Sequence, residues 1–292
     1  MAGDLVVLVN PAARGGRGLR VLGPVLQRLR RGDRPVTVIV GVTAQDALER
    51  ARAAVGEGPE ALVAFGGDGL VHLAVQAVAG TPVPLGIIPA GTGNDIADAL
   101  GVPRRDPLAA AEVVLRGRTA TVDAGRIGPD RWFAGVVACG FDSRVNERAN
   151  ALTWPGGAAR YLRAMVQELR VFRPIPFTIT LDGKAAEREA MLVAVANTRS
   201  YGAGMRVCPD ASPYDGLFDV LVVGALAKSE FLRIFPRVYR GGHVTHPAAT
   251  ITRARTVRLE AHDVVAYADG ERVGPAPVDC AVEPGALSMI VP

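Results

Sequence analysis

Two glycine-rich turns, each closing a short apolar run, constrain this chain more than any other feature. Phe65-Gly66-Gly67-Asp68-Gly69 follows Ala61-Leu62-Val63-Ala64, and Pro89-Ala90-Gly91-Thr92-Gly93-Asn94-Asp95 follows Leu85-Gly86-Ile87-Ile88. Short apolar runs bounded by turn residues read as buried strands, and helix-compatible sequence follows each turn. Glycine admits backbone conformations that other residues resist and lets a phosphate come close. A helix N-terminus beyond such a turn offers free N–H groups to an anion. The stretch Ala64–Asp95 therefore reads as a nucleotide site built from backbone amides and two carboxylates, Asp68 and Asp95.

The sequence around these turns alternates strand and helix. Leu5–Val9 reads as a strand that runs through a glycine-rich loop, Asn10–Gly18, into helical Leu19–Arg31. The loop is neither G-x-G-x-x-G nor a P-loop. Phosphate contact through its amides and Arg14 or Arg17, and an ordinary connection with exposed arginines, both fit. Pro35–Val40 is the second strand. Thr43 then heads Ala44–Val55 with Asp46 three residues on, a capping box. A cap at a strand end also faces the ligand side of an open α/β sheet. Val71–Ala79, Asn94–Leu100 and Pro107–Arg116 are helix-compatible. The alternation predicts an α/β domain with an open, mostly parallel, doubly wound, Rossmann-like sheet, whose ligands bind at the carboxyl ends of the strands.

Near Thr119–Asp123 the pattern changes. Strands dominate from there: Trp132–Val137, Phe177–Leu181, Ala190–Ala196, Phe218–Val223, Thr256–Leu259, Val264–Tyr267, Val278–Val282 and Leu287–Val291. With few crossover helices between them they predict an antiparallel second domain, and Asp182-Gly183 marks a hairpin. The expected division is residues 1–122 and 123–292, since 292 residues exceed one ordinary domain. Two helical stretches interrupt the strands. In Ala158–Phe172, Ala158, Tyr161, Leu162, Met165, Val166, Leu169 and Phe172 share a face and Arg160, Arg163 and Arg170 lie away from it. Packing of that face on the sheet and a basic amphipathic helix at a membrane surface both fit. In Lys228–Arg240, Pro236 is expected to kink the helix.

Composition closes off other classes. No run of about 18 apolar residues is present to span a bilayer, and the N-terminus begins with a strand rather than a signal peptide, so a cytoplasmic protein is expected. Three widely spaced cysteines, Cys139, Cys208 and Cys280, form neither a zinc pattern nor a disulfide framework. His243 and His246 lack an evident third ligand. The net charge of +4 comes without a long basic run or interleaved aromatics, which argues against nucleic acid as partner.

Taken in order, four separated motifs carry a resemblance: Val9-Asn10-Pro11, the two glycine turns, Cys208-Pro209-Asp210 through Tyr214-Asp215-Gly216-Leu217-Phe218-Asp219, and Asp269-Gly270-Glu271. Together they resemble the diacylglycerol kinase catalytic-domain family, which includes bacterial lipid kinases and is related to sphingosine kinases. The resemblance runs from Val6 to Pro292 and implies an α/β nucleotide domain followed by a β-sandwich, with the active site in the cleft between them. It implies ATP bound by Asn10, Pro11, Ala12, Ala13, Arg14, Thr43, Gly66, Gly67, Asp68, Gly69, Leu70, Val71, His72 and Thr92. Asp68 and Asp95 would position ATP and its metal, and Glu271 would be the general base. Asp215, with the carbonyls of Ser212 and Leu217, would hold a structural Mg2+. The implied reaction is transfer from ATP to a lipid hydroxyl, diacylglycerol first, by a cytoplasmic protein that visits the membrane peripherally. An NAD kinase-like enzyme and a catalytically silent nucleotide- or lipid-binding protein are the alternatives, and a homodimer is left open. The chain departs from the family pattern at Leu70, where a threonine is usual, at His72-Leu73, where Asn-Glu is usual, and at Asp98, where a basic residue is frequent.

Overall fold

A computed structural model of the chain describes residues 4–10, 18–31, 34–154 and 157–292. Four parallel strands, β1 (Leu5–Val9), β2 (Val36–Val40), β3 (Ala61–Gly66) and β4 (Leu85–Pro89), lie in the order β2-β1-β3-β4. Helices α1 (Leu19–Arg30) and α5 (Pro107–Arg116) pack together, as do α2 (Ala44–Gly56) and α3 (Asp68–Val78), so helices cover the sheet in pairs. β1, β3 and β4 are buried along their whole length, which is why they read as unbroken apolar runs rather than alternating ones. A one-turn helix, α4 (Asp95–Ala99), follows β4.

The second half is a β-sandwich. One layer holds β7 (Val136–Gly140), β9 (Lys184–Ala196), β10 (Phe218–Gly224), β11 (Ala249–Ala254), β13 (Val265–Ala268) and β14 (Glu271–Pro275). The other holds β5 (Thr119–Ile127), β6 (Arg131–Phe133), β8 (Ile175–Leu181), β12 (Thr256–Glu260) and β15 (Val278–Ile290). The hairpin β8–β9 joins the layers through Asp182 (φ 46°) and Gly183 (φ 80°), the left-handed pair that a tight two-residue turn requires. Residues alternate along β9: Val193 and Val195 enter the core between the layers with Phe133, Phe177 and Phe218, while Ala194 and Ala196 pack under Met205 and Val238 on the outer face.

The chain then returns to its first half. Met289 of β15 pairs parallel with Leu85 of β4, and Leu287, Ile290 and Val291 join the core of the parallel sheet. The two runs expected as Val278–Val282 and Leu287–Val291 are thus one strand, with its register shifted between Glu283 and Leu287. The run Trp132–Val137, in contrast, divides into β6 and β7. Residues 134–135 between them turn their amides to a side chain described below. Helix α6 (Phe141–Ala151) carries no expectation from the sequence, because its buried face includes Asp142 and Ser143 and lacks an apolar stripe. Helix α7 (Gly157–Val171) forms where expected, but its apolar stripe is split. Leu169 and Phe172 are buried while Leu162 and Val166 face solvent. At Pro236 the helix α8 (Lys228–Ile234) gives way to a 3-10 turn, Phe235–Arg240, since proline has no N–H for the α-helical ladder. No helix among the described residues is long and apolar enough to cross a membrane.

Candidate functional site

The two glycine turns pack backbone to backbone. A Cβ on Gly91 would lie 2.4 Å from Cα of Gly67, and one on Gly66 would lie 2.7 Å from Cδ2 of Leu70. None of Gly66, Gly67, Gly69, Gly91 or Gly93 has a positive φ; the left-handed position is Asn94, at φ 58°. Glycine is therefore required here for close approach rather than for unusual torsions. Asn94 holds the second turn: its Oδ1 accepts from Gly91 N at 3.0 Å, and its Nδ2 donates to the carbonyls of Gly91 and Arg104, both at 3.0 Å.

The amides at the start of α4 are already taken by protein. Asn94 N and Ile96 N donate to Asp68, at 2.7 and 3.3 Å. The second turn thus serves the carboxylate of the first and is not an open anion cradle. Asp95 does not cap its own helix either; it accepts from Ala203 N at 2.7 Å, while its Oδ1 is buried without a hydrogen-bond partner. The two carboxylates flank Gly93, whose Cβ would meet Asp68 Oδ2 at 2.7 Å and Asp95 Oδ2 at 3.3 Å. Burial raises Asp68 above the usual carboxylate range, against the amide bonds that hold it down. Burial, then repulsion from Asp68, pushes Asp95 up to about 6. A carboxylate with a raised folded pKa stabilises the fold below its unfolded value, and that contribution is lost as pH rises through the folded value. Between about pH 4 and 6 the protein should lose stability on this account. Asp95→Asn should remove that component and melt higher than the parent at pH 8, as read by thermal scans at pH 5 and 8.

Asp68, His72 and Gln76 are spaced i, i+4, i+8 along α3 and so share one face, which meets the second half of the chain. Gln76 brackets Trp132, accepting from its N–H at 2.9 Å and donating to its carbonyl at 2.7 Å. His72 Nδ1 lies 3.1 Å from Asp269 Oδ2 and donates to it, as a carboxylate only accepts. Asp269 also accepts the amides of Ala134, Gly135 and Val136, at 3.0, 2.8 and 3.1 Å, which is what separates β6 from β7. Burial pulls the His72 imidazole down, but the bond and the charge of Asp269 outweigh it and leave the ring above its ordinary value. Asp269 (φ 51°) and Gly270 (φ 88°) form the turn that presents Glu271. Glu271 reaches the first glycine turn: a Cβ on Gly69 would lie 2.7 Å from Glu271 Oε1.

Two cavities meet at this point. One, of about 510 Å³, is lined by Asn10, Thr43, Gly67, Gly69, Leu70 and Glu271 among others. The other, of about 570 Å³, begins at Asp68, Asp95 and Asp269 and becomes apolar along Leu162, Met165 and Met205. It shares Tyr161, Tyr201 and Phe235 with a smaller apolar pocket of about 70 Å³ deeper in the sandwich. The one ionisable carboxyl common to both of these is Asp142, which accepts from Tyr161 Oη at 2.6 Å and Asn146 Nδ2 at 3.3 Å. Burial pushes Asp142 upward, while Tyr161 and Tyr201 hold it down.

The structure thus brings Asn10, Thr43, Gly67, Gly69, Leu70 and Glu271 to one cavity and Asp68 and Asp95 to the next. Thr43 caps α2, accepting from Asp46 N at 3.1 Å, and lines the cavity as well. Gly66 lies beneath Leu70, Val71 is buried in the first core, His72 turns to Asp269, and Thr92 is exposed. Pro11, Ala12, Ala13, Arg14 and Arg17 lie outside the described residues. Asp215, Ser212 and Leu217 line neither cavity; Asp215 accepts from Leu217 N at 3.1 Å and pairs with Arg253. Asp98 pairs with Arg104 at 3.8 Å. His243 and His246 bind separately, to the Val207 carbonyl at 3.0 Å and to Glu230 at 3.1 Å. The three cysteines are free and buried. Sequence reasoning overlooked Gln76 and Asp142 and took Asp269 only as part of a motif. The i, i+4, i+8 spacing from Asp68 was the available signal for Gln76.

Residues 4–127 match the model of the diacylglycerol kinase catalytic domain, and residues 135–291 match that of the YegS C-terminal NAD kinase beta sandwich-like domain. The diacylglycerol kinase of Mycobacterium tuberculosis is 42% identical over 295 residues, covering 99% of this chain and 96% of that protein. That of Bacillus subtilis is 30% identical over 276 residues, covering 93% and 90%. Among solved structures, a diacylglycerol kinase of Bacillus anthracis superposes with a TM-score of 0.72 at 20% identity, over 100% of this chain and 97% of that one. An NAD kinase of Archaeoglobus fulgidus in complex with ATP gives 0.55 at 13% identity, over 98% and 92%. These last two show a shared fold. With both halves matched by family models and relatives aligned across nearly its whole length, the chain is a kinase that belongs to the diacylglycerol kinase family.

Proposed function

We propose that the chain transfers the γ-phosphoryl group of ATP to the hydroxyl of a membrane lipid, with diacylglycerol as the first acceptor to test and phosphatidic acid as its product. The observation that carries this reading is the meeting of the two cavities. Gly69 and Glu271 open on the polar one, and Asp68 and Asp95 open on the one that turns apolar. A nucleotide and a lipid hydroxyl held in these spaces would approach each other between adjacent residues of a single turn. Glu271 takes the hydroxyl proton as the oxygen bonds to phosphorus and ADP leaves. Asp68, held by two amides, keeps the second turn in place and Asp95 with it. The apolar lining excludes water from the acceptor and limits hydrolysis of ATP.

The residues fit Mg2+ at one of the two expected places. Asp95 Oδ1 is buried and unpartnered beside a second buried carboxylate, a pair that a divalent cation would relieve. When bound there with ATP, the cation supplies charge neutralisation on the phosphates. Asp215 does not fit: one oxygen accepts an amide and the other pairs with Arg253, which already supplies the opposing charge. No step is routed through that position.

The test is a panel of acceptors with γ-labelled ATP and Mg2+, read by mass spectrometry of the product. Label in phosphatidic acid is expected. Label in another lipid would keep the class and change the substrate. Label in NADP would establish the NAD kinase alternative, and ATP binding without transfer to any acceptor would establish the silent one.

A further inference from the structure

The mouth of the apolar cavity is framed by two segments, residues 152–173 and 228–241. Leu162 of α7 and Tyr239 of the 3-10 turn line the cavity and are also 56% and 50% exposed. The two segments are held side by side: Phe172 and Phe231 both stack edge-on against Phe141, and Lys228 Nζ donates to the Arg170 carbonyl. Outward from the mouth the same segments expose Trp154 (73%), Val166 and Leu232 (56%). Large apolar side chains grouped in this way on a soluble surface mark an interaction site.

Charge says what kind. The two segments carry eight lysines and arginines and two acids, whereas the whole chain has a net charge of only +4, so the remainder is net negative. Both acids are already committed, Glu168 to Arg148 and Glu230 to His246. Among the described residues none of the eight cations is in an ion pair. Arg163 donates to the Trp154 carbonyl at 2.8 Å and lies 6.0 Å from the Trp154 ring centroid, so a guanidinium sits beside the most exposed indole. An amphipathic ring flanked by arginines, with aliphatic side chains outward, is the chemistry of a surface that settles into the headgroup region of an anionic bilayer.

We propose that residues 152–173 and 228–241 form a docking lip that seats the cavity mouth on an anionic lipid bilayer, so that the acceptor passes from the membrane into the cavity without crossing water. This rests on the lipid-acceptor reading for its purpose, but not for its measurement. The split stripe of α7 follows from it: Tyr161, Met165 and Leu169 serve the cavity and the core, while Leu162 and Val166 are left for the membrane.

The experiment is co-sedimentation of the full chain with phosphatidylglycerol vesicles and with phosphatidylcholine vesicles, at low and high salt. Binding to the anionic vesicles, weakened by salt, is expected. Arg233→Glu with Arg237→Glu should weaken it by roughly thirtyfold, given the contribution of each basic residue near an anionic surface. Val166→Glu with Leu232→Glu should also weaken it, with unchanged thermal stability because both side chains are exposed. Both double variants should retain kinase activity on a short-chain acceptor dispersed in water and lose it on vesicles. Parent protein that phosphorylates the dispersed acceptor but does not sediment with anionic vesicles overturns the proposal. So does unaltered sedimentation of both variants, or a parent dimer that Val166→Glu with Leu232→Glu converts to monomer without change in vesicle binding. Vesicle binding of the expected form without any kinase activity upholds the lip and overturns the lipid-kinase reading instead.

Discussion

Replacing Glu271 with Gln should reduce turnover by about 10²- to 10⁴-fold, the range that a positioned general base contributes, and leave the fold intact. The side chain is exposed and Gln has the same shape, so nothing in the core depends on its charge. Glu271 sits against Gly69 at the edge of the polar cavity, yet it makes no hydrogen bond to the turn that a neutral amide would break. ATP affinity should therefore change far less than turnover, and melting temperature not at all. The measurement is kcat and KM for ATP at saturating acceptor, with a thermal scan beside it. A variant that binds ATP as well as the parent and turns over at an undiminished rate would remove Glu271 from the proton transfer.

The other large effect is expected at Asp269. Its carboxylate is 1% exposed and accepts three backbone amides and the His72 ring. In Asp269→Asn an NH2 group faces N–H donors, and breaking a buried charged cluster of this kind costs about 3–5 kcal/mol. At a few degrees per kcal/mol for a chain of this size, the melting temperature should fall by roughly 10 °C. Activity should fall with it, because the turn at Asp269-Gly270 that presents Glu271 loses its anchor. The pairing also has a pH signature. His72 is held above its ordinary 6.5, so its stabilisation is complete below that value and is lost as pH rises through the raised one. The parent should lose this increment above about pH 6.5, and Asp269→Asn should not. Melting curves between pH 5 and 9 for both proteins decide it. His72→Asn, which restores the family's usual residue, should remove the pH component while keeping a hydrogen bond to Asp269.

This pairing explains a departure that the sequence shows but does not interpret. Asn-Glu is usual where the chain has His72-Leu73, and the change reads as a lost polar pair. In the fold His72 makes the polar contact to Asp269, and Leu73 lines the cavity with Leu70. Leu70 covers Gly66 and is buried, so the missing hydroxyl leaves no buried donor unpaired.

Much of the architecture was legible because local rules suffice for it. Fully buried parallel strands appear as unbroken apolar runs, Thr43 and Asp46 cap a helix by their spacing, and Asp182-Gly183 admits the torsions of a tight hairpin. The motifs were legible because they are contiguous: Asp68, Asp95 and Glu271 each stand in a turn whose residue types announce it. What these side chains touch was not legible. The amides after the second turn were open to an anion on sequence grounds, and the fold gives them to Asp68. The glycines were consistent with unusual torsions, and the fold requires them for contact between two backbones. Helix α6 was hidden because its buried face is polar, and the stripe of α7 was divided by partners elsewhere in the chain.

By itself, then, the sequence determined the alternating first half, the strand-rich second half, and the turns that place carboxylates at strand ends. Those are matters of period, torsion and short-range spacing. Only the tertiary structure decided that Gly69 meets Glu271, that His72 and Gln76 tie one half to the other, and that a polar and an apolar cavity adjoin at Asp68. These contacts join residues far apart in the chain, and burial and chain closure, which set them, have no local signature.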